Sequence, residues 1–344
     1  MKRFFSGLAA VMLVVALVAG CGGQESPKPS TSTTPAPAPV KEYKAEFKLG
    51  TPTAVDHVYT MGAQKFADLI SAGTNGRIKI TVFPNGQLGK GERETLEGLQ
   101  QGTVDMYAGS TGAMGNFVPA FNMLDVPFLF RDYAHVDKVL DGAIGQSLLD
   151  EMPKAQLHGL AFWENGFRNL TNSKRAIKTP DDVKGLKVRT MENQVHIEAW
   201  KALGATPTPM TWGEVYGALQ QKVIDGQENP VAVIYTAKLN EVQKYLSMTR
   251  HVYSPALLAI SEQRWKEMPK ADQDLFVKTA KEVTAYQRSL GRDNEAKQLA
   301  ELKSKGMEVI ETVDTAPWQA ALKPVFDKYA AQYGDRFSQI LNTK

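Results

Sequence analysis

Arg77-Ile78-Lys79-Ile80-Thr81-Val82-Phe83 alternates strictly, with Ile78, Ile80 and Val82 on one face. A period of two marks a strand with one face buried. Upstream, Thr74-Asn75-Gly76 makes a turn, Asp56 to Ala72 carries Val58, Met61, Phe66, Leu69 and Ile70 at helical spacing, and Glu46 to Leu49 reads as a strand. Downstream, Gly91 to Gln101 reads as a helix stopped by Gly102, and Val104 to Ala108 as a short apolar strand. The resulting β-α-β-α-β order predicts a parallel sheet covered by helices, an α/β fold.

The pattern restarts further on. Leu157 to Trp163 and Leu186 to Arg189 read as strands, and Asn193 to Leu203 as a helix ending at Gly204. Trp212 to Gln221 is a further helix and Pro255 to Ile260 a further strand. Two α/β units are therefore expected, with no sequence repeat between them. Ala271 to Lys305 reads as helix throughout, interrupted only by Gly291. At 1.5 Å per residue one helix of that length would run about 50 Å, enough to cross from one unit to the other. Two helices joined at Gly291 remain the alternative. Met307 to Ile310 follows as a strand and Pro317 to Tyr333 as a helix.

The N-terminus bears on the compartment. Lys2 and Arg3 precede an unbroken apolar stretch, Leu8 to Ala19. That is short of the roughly 20 residues of a spanning helix and suits the core of an export signal. The stretch ends in Val18-Ala19-Gly20-Cys21, which resembles a bacterial lipobox, so residues 1–20 are expected to be a leader and Cys21 to carry a lipid. Cys21 is the single cysteine, and lipidation accounts for a lone thiol in an exported chain. No disulfide is then available, and a packed core must hold the fold. From Cys21 to residue 43 runs a tether with Pro27, Pro29, Pro35, Pro37 and Pro39 among Ser, Thr and Ala. At about 3.1 Å per residue where it is polyproline-like, it would hold a domain up to about 60 Å from a membrane. About 300 residues remain, one large or two medium domains. Net charge is +3, and about +1 without Lys2 and Arg3, which gives no basic excess for nucleic acid.

Nothing in the chain outlines a catalytic or metal centre. His57, His135, His158, His196 and His251 stand at no metal-ligand spacing, and there is no nucleophile elbow or P-loop. Gly109-Ser110-Thr111-Gly112-Ala113-Met114-Gly115 follows a strand but is not the dinucleotide fingerprint. Catalytic residues, metal and cofactor are all expected to be absent. Ligands of open α/β sheets sit beyond the carboxyl ends of the strands. Arg168, just after the strand ending near Trp163, and Arg189, ending another, fall there. A guanidinium fork matches a carboxylate bidentately. Two arginines at strand ends suggest an anionic ligand; solvated surface salt bridges are the alternative.

A set of segments in constant order carries a family resemblance. It comprises Leu99-Gln100-Gln101-Gly102-Thr103-Val104-Asp105, Asp125-Val126-Pro127-Phe128-Leu129-Phe130, Gly166-Phe167-Arg168-Asn169-Leu170-Thr171-Asn172 and Gly185-Leu186-Lys187-Val188-Arg189. Gly204-Ala205-Thr206-Pro207-Thr208-Pro209-Met210, Glu214-Val215-Tyr216, Asp225-Gly226-Gln227-Glu228-Asn229-Pro230 and Val242-Gln243-Lys244-Tyr245 complete it. From about Ala45 to the C-terminus the chain resembles the solute-binding proteins of TRAP transporters, the DctP-type family that includes C4-dicarboxylate and sialic acid receptors. The resemblance implies a two-lobed periplasmic-binding-protein-like fold with a long helix underlying both lobes. Residues 44–165 with about 255–295 would form lobe I, and 166–254 with about 296–344 lobe II.

The resemblance also implies roles. Arg189 matches the arginine that pairs with the ligand carboxylate, Arg168 a second arginine supporting it, and Asn229 an asparagine that hydrogen-bonds the ligand. Trp212 falls where an aromatic often covers the ligand; a core tryptophan is the alternative. Thr51 and Ser110 fall at first-lobe positions that often face the cleft. Ser110 stands where sialic acid receptors place a glutamate, which disfavours sialic acid. Glu192 and His196 follow Arg189 closely. Glu192 would either receive a ligand ammonium, pair with a neighbouring lysine, or cap the helix near Asn193. The implied protein is a monomeric, lipid-anchored, extracytoplasmic receptor. It delivers a small organic-acid solute to the permease subunits of a TRAP transporter and is not an enzyme. A receptor that reports to a membrane sensor kinase, or one for an amino-acid-like or aromatic carboxylate, is the alternative.

Overall fold

The computed structural model describes residues 42–344. The expected leader, the lipidation at Cys21 and all but the end of the tether lie outside the described residues. The described chain opens with β1 (Ala45–Gly50), α1 (Val58–Gly73), β2 (Ile78–Phe83), α2 (Glu92–Gln101) and β3 (Met106–Ser110). Helices α3 (Tyr133–Leu140) and α4 (Ala143–Leu149) lead to the long β4 (Leu157–Asn172). The second series is β5 (Lys187–Thr190), α5 (Gln194–Ala202), β6 (Thr206–Pro209), α6 (Trp212–Gln220), β7 (Gly226–Asn229) and α7 (Val231–Thr236). The chain closes with β8 (Tyr245–Ser261), α8 (Glu262–Glu267), α9 (Lys270–Ser304), β9 (Glu308–Ile310) and α10 (Ala316–Asn342).

The nine strands of the described residues join one sheet in the order β2-β1-β3-β8-β4-β7-β5-β6, with β9 beside β8. The two series have the same internal plan. β1 lies parallel between β2 and β3, and β5 lies parallel between β6 and β7. The expected parallel sheet is thus right within each series and incomplete for the whole. β8 runs antiparallel to β3 and β4, and β4 antiparallel to β7, so the sheet is mixed. β4 and β8 pair from Leu157↔Ser261 to Asn172↔Tyr245. At one end β8 accepts β3; at the other β4 accepts β7 and β8 accepts β9. This is a two-lobed α/β fold whose lobes share two continuous strands.

Local sequence explains most boundaries. His57 caps α1, its Nδ1 accepting from the Tyr59 backbone N–H at 3.2 Å. Gly102 ends α2 with φ +72, a left-handed turn that glycine adopts without a Cβ clash. Asn193 caps α5 by accepting from the His196 N–H at 3.1 Å. Helix α9 runs unbroken through Gly291, so the two-helix alternative is not realised. Its 35 residues, about 50 Å, pack on α1, β4 and α7, elements of both lobes. Phe276 fixes it to the first lobe, edge-on to Phe47 and Phe66 with ring centroids 5.8 and 5.5 Å apart. α10 breaks at Gly334, where φ is +52 and ψ −123, just beyond the expected end at Tyr333.

Where β4 passes between the lobes its ladder is irregular, with register shifts at Glu164/Gly166 and Arg168/Leu170. Gly166 has φ +124, a conformation that a Cβ would strain. At the bulge, α9 serves the Glu164 backbone in place of a strand. Gln287 Oε1 accepts from Glu164 N–H at 2.7 Å, and Gln287 Nε2 donates to Glu164 C=O at 2.8 Å. No helix among the described residues is long and apolar enough to cross a membrane.

Candidate ligand-binding cleft

Arg189 stands at the carboxyl end of β5 and is buried. Met210, which follows β6, presents its carbonyl to Arg189 Nε at 2.9 Å and to Nη2 at 2.6 Å. The Trp212 ring lies against the guanidinium, 5.7 Å from centroid to carbon. Among the described residues no carboxylate forms an ion pair with Arg189. Burial pushes its pKa down to about 10, opposed chiefly by the field of Glu92. A carbonyl dipole and a π face are modest compensation for a desolvated cation.

Arg168 is buried more deeply but is fully charge-balanced. Its Nε donates to Glu228 Oε2 at 2.5 Å, and its Nη2 to Glu228 Oε1 at 2.7 Å and to the Glu228 carbonyl at 2.6 Å. His251 Nε2 lies 3.1 Å from Glu228 Oε2, and its Nδ1 2.8 Å from Thr249 Oγ1. Burial pushes the Glu228 carboxyl up, but Arg168 and the His251 hydrogen bond hold it well below the usual carboxylate range. Adjacent β4, β7 and β8 supply this network: Asn169 pairs with Asn229 across β4 and β7, and Arg168 with Val252 across β4 and β8.

Both arginines line one narrow cavity of about 10 Å³, room for about one water molecule. The second lobe contributes Arg189, Met191, Trp212, Asn229 and Val233; the first contributes Thr53, Tyr59, Glu92 and Ser110; β4 contributes Asn165 and Arg168. Four of these residues carry a buried polar atom with no hydrogen-bond partner: Thr53 Oγ1, Tyr59 OH, Asn165 Oδ1 and Arg168 Nη1. An unsatisfied buried polar group costs about 1–3 kcal/mol, so native chains leave few. Four around one cavity leave hydrogen-bonding capacity there for a polar molecule, water included. Larger hollows exist, such as the groove between Phe128 and α10, but neither arginine lines it.

The lobes meet over this cavity. Gly213 N–H donates to the Lys90 carbonyl at 2.9 Å. Gly91 lies so close to the facing loop that a Cβ there would be 2.2 Å from Thr211 Oγ1. Arg93 pairs with Glu192 at 3.2 Å, and Asn116 Nδ2 donates to the Glu192 carbonyl at 2.8 Å.

Of the residues expected at the site, the fold brings Arg189, Arg168, Asn229, Trp212 and Ser110 to the cavity wall. Asn229 Nδ2 donates to Gln227 Oε1 at 2.6 Å. Ser110 Oγ is 3.0 Å from Ser254 Oγ and accepts from the Gly112 N–H at 3.1 Å. Thr51 is not among the lining residues. Its hydroxyl is buried 2.7 Å from that of Thr60, and Thr53, two residues on, lines the wall instead. Glu192 is likewise not in the wall; it pairs with Arg93 rather than a lysine. His196 lies behind the site, 3.2 Å from Asp125. Thr53, Tyr59, Glu92, Asn165, Met191 and Val233 were missed. Thr53 and Tyr59 follow the carboxyl end of β1, so the strand-end rule pointed at them, whereas Glu92 looked like any acid in the first turn of a helix.

Among the described residues no group of three or more His, Cys, Asp and Glu side chains is placed to hold a metal ion. The family description "Bacterial extracellular solute-binding protein, family 7" matches residues 49–332. A solute-binding protein of Verminephrobacter eiseniae is 46% identical over 287 residues, 83% of this chain and 85% of its own. The 2,3-diketo-L-gulonate-binding periplasmic protein of Escherichia coli K12 is 40% identical over 275 residues, 80% of this chain and 84% of its own. A solved TRAP periplasmic solute-binding protein of a Polaromonas species, bound to D-erythronate, is 47% identical with a TM-score of 0.86, covering 88% of this chain and 99% of its own. The chain belongs to this family of extracytoplasmic solute-binding proteins that serve TRAP transporters.

Proposed function

We propose that the chain captures a small organic acid between its lobes and passes it to the membrane permease of a TRAP transporter, without turning it over. One observation carries the reading: Arg189 is buried beside a cavity, and among the described residues it has no carboxylate partner. A ligand carboxylate supplies the anion. Met210 engages Nε and Nη2, which leaves Nη1 and the second Nη2 hydrogen for the ligand. Arg168 adds its unpartnered Nη1, and Asn229 and Trp212 border the same space.

In this reading residues 44–165 with about 255–295 form lobe I, and 166–254 with about 296–344 form lobe II. Solute enters between them, and the contacts over the cavity close behind it. Cleavage before Cys21 and its lipidation tether a monomeric receptor to the outer face of the membrane. D-erythronate and 2,3-diketo-L-gulonate, on the relatives described above, are small carboxylates of the kind expected, and C4-dicarboxylates belong to the same broad class.

The test is mass spectrometry of whatever the purified protein releases on denaturation, repeated for Arg189→Ala. A small acid, recovered unchanged from the wild type and absent from the variant, is the expected result. A ligand without a carboxylate, or one that the protein transforms, would overturn the reading. Cys21→Ser is expected to move the protein from the membrane to the soluble fraction.

A further inference from the structure

The cleft's charges are unevenly spent. Arg168 and Glu228 cancel each other within the protein, through three hydrogen bonds from one guanidinium to one glutamate. Arg189 is the cation left for a ligand. The remaining charge in the wall is Glu92, the first residue of α2. Glu92 and Arg189 are each the leading charge acting on the other, yet no ion pair joins them. Both side chains line the same cavity, opposite in sign and joined by no ion pair among the described residues; burial raises the Glu92 carboxyl's pKa and Arg189 draws it back down.

We propose that Glu92 is a charge filter. It selects a short carboxylic acid whose far end carries hydroxyl groups and rejects one whose far end carries a second carboxylate. This rests on the reading that Arg189 holds a ligand carboxylate. With that end fixed, the other end of a four-carbon acid meets the rest of the same wall, where Glu92 is the one charge outside the Arg168–Glu228 pair. Two like charges about 4 Å apart, at an effective dielectric of about 20, repel enough to cost on the order of a thousandfold in affinity. A hydroxyl instead donates to the Glu92 carboxylate, and a charged acceptor makes such a bond stronger than a neutral one. Thr53 Oγ1, Tyr59 OH and Asn165 Oδ1, the partnerless atoms of the same wall, supply further sites for hydroxyl groups. The ligand class that fits is a polyhydroxylated monocarboxylate, the aldonate type.

Calorimetric titration at pH 7.5 with D-erythronate, D-gluconate, succinate and L-malate tests this, using wild type, Glu92→Gln and Arg189→Ala. Wild type is expected to bind at least one of the two aldonates, and either dicarboxylate at least 100-fold more weakly. Glu92→Gln keeps the side-chain size and removes the charge. It is expected to shrink that ratio tenfold or more, tightening the dicarboxylates while weakening the aldonate. Arg189→Ala should bind each acid that wild type binds about 30-fold to several-thousandfold more weakly. If wild type binds dicarboxylates as tightly as aldonates, or if Glu92→Gln leaves the ratio unchanged, the filter is overturned while carboxylate capture at Arg189 stands. If no acid binds wild type, or Arg189→Ala binds as wild type does, the capture reading falls and the filter with it.

Discussion

The floor of the cleft and its second-lobe wall each present an arginine, and the two are treated in opposite ways. On the floor, where β4, β7 and β8 run side by side, Arg168 is locked to Glu228, which His251 holds in turn. On the wall, at the end of β5, Arg189 has a carbonyl and an indole face but no anion. The floor is a finished ion pair, its charge balanced whether or not a ligand is present, with only Arg168 Nη1 left without a partner. The wall is an unfinished one, and in the proposed reading its deficit drives binding. A buried charge deprived of its partner costs several kcal/mol, so the protein can leave only one such site open and must close the other.

Removing charges one at a time is the most direct way to break that contrast. Glu228→Ala would strand Arg168 in the interior, and urea unfolding is expected to show a loss of about 3–5 kcal/mol of stability. Arg189→Ala should do the reverse. Calorimetry is expected to show a loss of about 2–5 kcal/mol of binding, about 30-fold to several-thousandfold, with unfolding stability unchanged or raised. If both variants lost stability alike, the two sites would not differ in kind.

Acid probes the buried histidines, His251 on the floor and His57 at the start of α1. Burial lowers the pKa of His251 and pushes that of His57 down to about 3. In the unfolded chain both take up a proton near pH 6.5, so between that pH and the folded pKa the unfolded state holds more protons. Stability should therefore fall as pH drops below about 6.5, by at most about 1.4 kcal/mol per pH unit for each histidine. Glu228, also depressed, contributes above the ordinary carboxylate range and loses that contribution as pH falls through its folded value. Urea midpoints at pH 7.5 and 5.5 check this. His57→Asn, which keeps a capping side chain, should flatten the slope. The smallest effect belongs to the rim. Arg93 is half exposed, and Arg93→Ala is expected to weaken ligand binding by no more than about 1 kcal/mol, less than about sixfold, measured in the same titration.

The sequence made the two β-α-β-α-β series readable because their strands are short, apolar and bounded by turns. It concealed the parts that unite them. Leu157 to Trp163 reads as a complete strand because Glu164-Asn165-Gly166-Phe167-Arg168-Asn169 interrupts the apolar run. β4 continues through those residues because Gln287, Arg292 and Glu228 satisfy the polar groups from outside the strand. Pro255 hid the start of β8 in the same way, since a proline within a run argues against a strand interior. At the site, Arg189 was visible through its place at a strand end; Arg168 was found by the same reasoning for the wrong reason, since β4 runs on to Asn172 and holds it inside the strand. Their difference was not, because it depends on Glu228 lying 60 positions from Arg168, a partnership that no local pattern encodes.

Two unbroken strands through both lobes give the molecule a leaf spring in place of a door hinge. Any parting of the lobes has to be taken up as twist and bend in β4 and β8, concentrated where the ladder slips at Glu164 and at Arg168. Such a joint resists in proportion to its deflection and pushes back. Arg168 sits at one of those slips, so the residue that floors the cleft also rides on the flexing segment. The effective grip on a solute then depends on the stiffness of a few β4 residues as well as on the groups that touch it, and softening Gly166 or its Gln287 brace would retune affinity without altering one ligand contact.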